Sequence, residues 1–550
     1  MIATLFLVIA MYAVLSLVGW CVLAPVDART RDLLLPAAPI FGAGLVAAVC
    51  STATRWLDVP MSLIVVATVL VVLMAIGVLK KRHPWRVGRG AVVGLLLCPI
   101  LALGGAAVAA LPTVWVGDSR PVAATVIVDQ FYFAATSSYL ADEPLLPGPY
   151  WNAGDWAGSA TPSVGPVVDV ISNRFRYGQA SVASALSFVT GRDASDTITP
   201  ISIMLLIMVG SAIYAAARLL GVRRRWAAVA VPLATSSMYL TTQSLEGKND
   251  GLLGVSIALI ALTLSYAVTT HRRFMWPAIV SVAGLAAIYS ELVFVLVLPV
   301  ALLTVWGQRA HLLERLNRVA AVWAIGVAAT PFAWIWLAQS ARIGGRYSDG
   351  STPFDDRRGF ELLRAIVGTD PAFGSDGSTW LFSIVAVVGA LAVALGLGFA
   401  IAVTPARGAA LGLVLALGLL ELSALRSDAG NLQYRTAQLG YSFVLLFAVV
   451  GWAALAQRWP VRRTKLRVPI TGAVIGGVIA ALSISNVATA ATHLSRDRAM
   501  VQHVAAAELD EAAAWVREVG PSNVSVVVPR FTDLIWLALE LRKEEGINYP

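Results

Sequence analysis

GAVVGLLLCPILALGGAAVAALPT, residues 90–113, contains no charged side chain and is long enough to cross a bilayer, for which a helix needs about 20 apolar residues. A polar stretch follows it over 114–198, and a second apolar run occupies 199–220. A charged, loop-rich segment cannot lie in hydrocarbon with its backbone groups unpaired, so 114–198 must sit on one face of a membrane. Which face it occupies decides what chemistry it meets.

The same alternation continues along the chain. Hydrophobic residues fill 58% of the 550 positions and charged ones 13%, against roughly 45–50% and about 25% in soluble domains. Mean hydropathy is +0.76. Apolar windows of spanning length begin near residues 1, 33, 61, 90, 199, 226, 251, 275, 292, 319, 380, 409, 439 and 468, predicting an all-α polytopic membrane protein of about fourteen transmembrane helices. The pair at 275–306 reads either as two short spans or as one long tilted helix with Tyr289, Ser290 and Glu291 buried in it. The first window lacks a basic leader and a small-residue cleavage site, so it reads as a retained helix.

Lys and Arg stay on the cytoplasmic side in short loops, and this orients the stack. Arg29 and Arg31, the cluster from Lys80 to Arg89, Arg223 to Arg225, Arg272 and Arg273, Arg309 to Arg318, Arg407, and Arg458 to Arg467 all fall on one side of a fourteen-helix arrangement. The N-terminus, the loops 114–198 and 340–379 and the tail after about 489 then lie outside the cytoplasm of a cell membrane. The net charge of +9 is thus a topology signal and not a nucleic-acid footprint. Three regions result: N-terminal helices 1–89, a core 90–488 carrying the two outer loops, and a tail 489–550. The tail reads as helix, the β-branched strand around Asn523–Val528, then helix, a small extracytoplasmic α/β segment that is short for an independent fold.

Cys21, Cys50 and Cys98 lie in apolar spans and behave as small buried hydrophobes. His83, His271 and His311 fall in cytoplasmic loops and His493 and His503 in the tail, so proton chemistry in the outer loops has to use carboxylates. The first outer loop interleaves Asp118, Asp129, Asp142, Glu143, Asp155 and Asp169 with Tyr132, Tyr139, Tyr150, Trp151, Trp156 and Tyr177. Carboxylates accept hydrogen bonds from sugar hydroxyls, aromatic faces stack on sugar rings, and one carboxylate can take a proton. The bland alternative is a solvated loop with aromatics at headgroup level. Within the loop, Ala180–Val189 is apolar but too short to span, predicting a re-entrant or amphipathic helix that lies along the interface.

Other signals share that face. The turn Glu246-Gly-Lys-Asn-Asp250 puts Lys248 and Asp250 between two spans, as a ligand contact or a simple helix cap. Tyr434-Arg435 stands before the span at Tyr441, where the arginine snorkels or clamps a phosphate. Arg342 and Arg346 open the mixed-charge loop 340–379, which is solvated surface or a seat for an anionic headgroup.

This arrangement resembles the GT-C superfamily of membrane glycosyltransferases over about residues 90–458. Val128-Asp-Gln-Phe-Tyr-Phe133 is similar to the acidic motif of that family's first outer loop. Arg176-Tyr-Gly-Gln-Ala-Ser-Val-Ala through Gly191 is similar to the small-residue stretch that follows it, and Asp250-Gly-Leu-Leu253 to a later acidic helix start. There are departures: three extra helices precede the core, Asp129 is followed by Gln130 and not a second acid, Tyr289-Ser290-Glu291 stands where many relatives carry a lysine, and Tyr434-Arg435 reverses the usual order.

The resemblance implies transfer of a sugar from a polyprenyl-phosphate donor to a hydroxyl of a glycan, lipid or protein acceptor, with inversion, on the extracytoplasmic face during cell-envelope assembly. Asp129 would be the base, with Asp155 and Asp169 in reserve. Arg435, Tyr434, Arg342, Arg346, Lys248, Asp250, Glu291, Tyr132 and Tyr177 would bind substrate. No cofactor is required, and a divalent metal is allowed but unsupported by the single acid. A transporter or flippase of lipid-linked sugars, and a non-catalytic scaffold of an envelope-assembly complex, are the competing readings. A transporter predicts ionisable residues at mid-bilayer, where Glu421 is the clearest instance.

Overall fold

The computed structural model describes residues 2–116, 129–145, 177–335 and 380–458, apart from short gaps at 81, 84, 86, 143, 246, 307–310, 334 and 428–429. The expected span beginning near 468, the loop 340–379 and the α/β tail lie outside these residues. What is described is helical throughout, with no strand. The helices are α1 (Ile2–Val22), α2 (Ala28–Leu34), α3 (Ala38–Ala53), α4 (Val59–Leu79), α5 (Arg89–Val116), α6 (Asp129–Asp142), α7 (Gly178–Thr190), α8 (Ala194–Leu219) and α9 (Arg224–Thr235). They continue as α10 (Met238–Leu245), α11 (Asn249–Thr270), α12 (Met275–Ile288), α13 (Glu291–Val305), α14 (Leu312–Ala328), α15 (Trp380–Val403), α16 (Arg407–Ser427) and α17 (Gly430–Arg458).

Among the described residues, seven helical segments are long and apolar enough to cross a membrane: Ile2–Val22, Ala28–Ala53, Val59–Leu79, Arg89–Ala110, Asp196–Leu219, Asn249–Thr270 and Gly440–Arg458. The protein is a helical membrane protein. The apolar windows of α8 and α11 are 94% buried whereas that of α4 is 22% buried, so α8 and α11 form the centre and α4 the rim. Leucines, isoleucines and valines left bare on α1, α4 and α5, such as Leu5, Ile64, Val71 and Leu96, suit contact with lipid tails.

Lipid is as apolar as leucine, so helices in it associate through close packing, which small residues permit. α3 illustrates this. Packed on α1, α12 and α7, it brings Gly44 against Gly284 of α12, where a Cβ added to Gly284 would stand 2.5 Å from the Gly44 Cα. The N-terminal helices therefore pack into the same bundle as the later ones.

Contacts gather the basic clusters at one end. Arg31, fully buried, donates to the carbonyl of His83 at 3.1 Å, and Asp32 accepts from the Gly88 N–H at 3.0 Å. Trp276 donates to the Val22 carbonyl at 2.9 Å, Arg272 pairs with Glu314 at 3.3 Å, and Arg315 donates to the Leu303 carbonyl at 3.0 Å. Arg407 lies over Trp306, and Arg458 donates to the Val403 carbonyl at 2.8 Å. Asp27 caps α2 by accepting from the Thr30 N–H. At the opposite end, the Leu145 N–H meets the Thr54 carbonyl at 2.9 Å and Arg55 stacks on Phe332 at 4.2 Å.

Three local readings are sharpened. The window at 275–306 is two short helices, broken where Tyr289 leaves helical geometry at φ −144°, ψ 72°. The expected span at 226 is likewise broken, at Ser236–Ser237 between α9 and α10. The stretch 180–189 forms α7, whose residues Gly178–Ser187 are all buried while Phe188 and Val189 are exposed. α7 enters the bundle and does not lie along its surface.

Candidate functional site

Three helix starts meet at the end opposite the basic clusters. α7 opens at Gly178, where an added Cβ would run into the carbonyl of Ala287, so glycine lets its first turn press on the end of α12. Tyr177, just before it, donates its hydroxyl to the Ser51 carbonyl at 2.6 Å and ties α7 to α3. Farther along, Ser187 bonds Thr197 of α8 at 2.7 Å. Gly191 closes the helix in the left-handed region at φ 62°, which glycine adopts without strain.

α11 opens from a tight turn in which Gly247 takes φ 67°. Lys248 is buried there at 7% exposure, and its N–H bonds the Gln243 carbonyl at 3.0 Å. Asn249 is wholly buried, and its Oδ1 accepts from Ser202 of α8 at 2.7 Å. Asp250 accepts from the Gly251 N–H at 2.7 Å, its carboxylate in the first turn where the helix dipole favours negative charge. No side chain caps this helix in the usual way.

α13 opens at the break after α12. Ser290, wholly buried, donates to Glu291 Oε2 at 3.5 Å, and Glu291 is half-buried in the first turn. Tyr289 lies on Gly254 of α11: a Cβ there would come 2.8 Å from the Tyr289 Cβ. Through Gly178–Ala287 and Gly254–Tyr289, the segments 177–179, 248–250 and 289–291 become one neighbourhood. Tyr177, Lys248, Asp250 and Glu291, far apart in sequence, thus stand at the starts of α7, α11 and α13, each of which packs on α12.

Asp129 is the first residue of α6, and Tyr132 lies one turn on. α6 packs on α7, where Ser137 donates to the Ala180 carbonyl at 3.1 Å. Asp129 stands two turns before that contact, about 12 Å along the helix. Tyr434 and Arg435 fall within α17, which extends to Gly430 and so takes into a helix the segment expected to precede the span. Asp155, Asp169, Arg342 and Arg346 lie outside the described residues. Among the described residues no group of three or more His, Cys, Asp or Glu is placed to hold a metal ion.

One buried amide, Gln179, escaped the sequence reading, and a second, Asn249, figured in it only as a helix cap, which it is not. Gln179 is 3% exposed and neither of its amide atoms has a hydrogen-bond partner; Asn249 leaves its Nδ2 unpartnered as well. The same holds for the buried hydroxyls of Ser51, Thr136, Ser184, Ser244 and Ser442. Leaving a buried polar group unsatisfied costs about 1–3 kcal/mol. The sequence signal was present: a long amide at the head of the small, apolar run 178–189.

No protein-family model matches the chain, and no curated protein matches it well enough to count as a relative.

Proposed function

We propose that the chain is a GT-C-type inverting glycosyltransferase of the cell membrane, with about fourteen crossings in all. It would move a sugar from a polyprenyl-phosphate donor to an acceptor hydroxyl on the extracytoplasmic face. The observation that carries this reading is that α7, which packs on α6 of the same outer loop, is inserted into the bundle and packs there on α12 and α11 as well. The gathering of the basic clusters at the other end supports the orientation, since such clusters are retained in the cytoplasm.

The chemistry asks little. Asp129 takes the proton of the acceptor hydroxyl as its oxygen bonds to the anomeric carbon, and the bond from that carbon to the phosphate oxygen breaks on the far side. Polyprenyl phosphate leaves as an anion and needs cations, not a general acid; Lys248 and Arg435 fill that role, with Arg342 and Arg346 from the second outer loop. Tyr177, its hydroxyl committed to Ser51, serves by holding α7 in place. A carboxylate at its ordinary pKa near 3.9 is a weak base, so partial burial of Asp129 in the assembled loop belongs to the mechanism.

Membranes carrying wild-type chain or Asp129→Ala, supplied with a mixture of polyprenyl-phosphate sugars, test the reading. Transfer by the wild type and a loss of about 10²–10⁴-fold in the variant are expected. Undiminished transfer by the variant removes Asp129 as base. Absence of transfer from every donor turns the assignment toward a flippase or a scaffold.

A further inference from the structure

Gln179 offers one acceptor and two donors, and all of them are buried and unused. Its direction follows from its neighbours on α7. Gly178 faces α12 and the Ser187 side chain faces Thr197 of α8, so the 100° step per residue sets Gln179 between those two directions, and α11 packs on α7, α8 and α12 alike. α8 and α11 carry Ser202 and Asn249, and the Asn249 Nδ2 is likewise unused. The ligand that satisfies these atoms can be chosen by elimination. A phosphate only accepts hydrogen bonds and would leave the Gln179 Oε1 unpaired; a cation would engage Oε1 and leave both amide NH₂ groups unpaired. A neutral group that donates and accepts at once serves both: a held water is one such group, and in a glycosyltransferase site the hydroxyls of the sugar are the other.

Resting on the reading of this end as a glycosyltransferase site, we propose that Gln179 and Asn249 form a hydroxyl-reading subsite that recognises the sugar of the donor lipid and not its phosphate. The phosphate is left to Lys248 and the arginines, so sugar selection and lipid capture are divided between different residues. Gln179 is kept at a cost to the empty protein because the bound sugar repays it.

Melting of the purified full chain in detergent tests this, comparing wild type with Gln179→Leu in the presence of polyprenyl phosphate with and without a sugar head. Without ligand the variant should melt at or above the wild type. Sugar-bearing lipid should raise the wild-type melting temperature more than bare polyprenyl phosphate does, and the variant should lose that sugar-dependent part. A lower melting temperature of the empty variant overturns the proposal, because Gln179 would then have a structural partner such as a held water. An equal sugar-dependent rise in both proteins, or none in the wild type, also overturns it. The two readings fail differently. A sugar-dependent rise confined to the wild type, without transfer to any acceptor, sinks the glycosyltransferase and leaves the subsite; transfer at the wild-type rate by Gln179→Leu sinks the subsite alone.

Discussion

Asp27 shows what one side chain does at the basic end. Burial works to raise the pKa of its carboxyl, but the Thr30 N–H bond with Arg273 and Arg82 outweighs it and holds the group below its ordinary value. A depressed carboxyl contributes stability above its unfolded pKa, near 3.9, and loses it as pH falls through the folded value. Asp27→Asn, which keeps a capping oxygen but not the charge, should therefore melt below wild type at pH 7, and the gap should close below about pH 4. A gap that does not narrow as pH falls below about 4 would trace the effect to packing. Gly284 makes the contrasting case. With the backbone of Gly44 2.5 Å from its missing Cβ, Gly284→Ala should cost about 1–3 kcal/mol by overpacking, whereas Gly104→Ala, with open space around it, should cost nothing measurable in thermal melts. At this scale the sequence was half legible: Lys248, Asp250 and Glu291 stood out as charges beside apolar runs. Gln179 did not, because the significance of an amide depends on what surrounds it.

α7 is the element on which the functional reading turns. Its length, too short to span, and its stop at Gly191 were readable, since a glycine in the left-handed region ends helices. Its burial was not. A helix enclosed on every side shows no amphipathic period, so periodicity cannot tell an inserted helix from one lying along the surface. The break at Ser236–Ser237 was hidden for a related reason, since neither residue is a Gly or Pro; that at Tyr289–Ser290 was one of the two readings of the window 275–306, and it is fitted to Gly254 of another helix. Cysteine scanning of α7, in a chain freed of Cys21, Cys50 and Cys98, should leave positions 180–187 unlabelled by a membrane-impermeant maleimide and label Phe188→Cys and Val189→Cys. Uniform labelling would put α7 on the surface. Tyr177→Phe, losing the bond to Ser51, should lower stability by about 1 kcal/mol in denaturant melts.

For the whole molecule, counting apolar windows and basic clusters was enough to read a helical membrane protein, because both follow directly from the bilayer's thickness and charge bias. Sidedness is checked with impermeant reagents: Lys80→Cys and His271→Cys should label only from the cytoplasmic side, Trp56→Cys and Arg192→Cys only from the other. Labels appearing on reversed sides would move the candidate site into the cytoplasm and end the glycosyltransferase proposal. What the windows did not convey is that α3, synthesised early, packs on α12, synthesised late. At about 5–20 residues per second, the roughly 240 residues between Gly44 and Gly284 take on the order of 10–50 s to emerge. For that interval α3 lacks its partner and exposes a surface of small residues to whatever the insertion machinery holds beside it. Assembly of this protein is therefore timed by its ribosome, and a pause before Gly284 would prolong the period in which the N-terminal helices are open to misassociation and proteolysis.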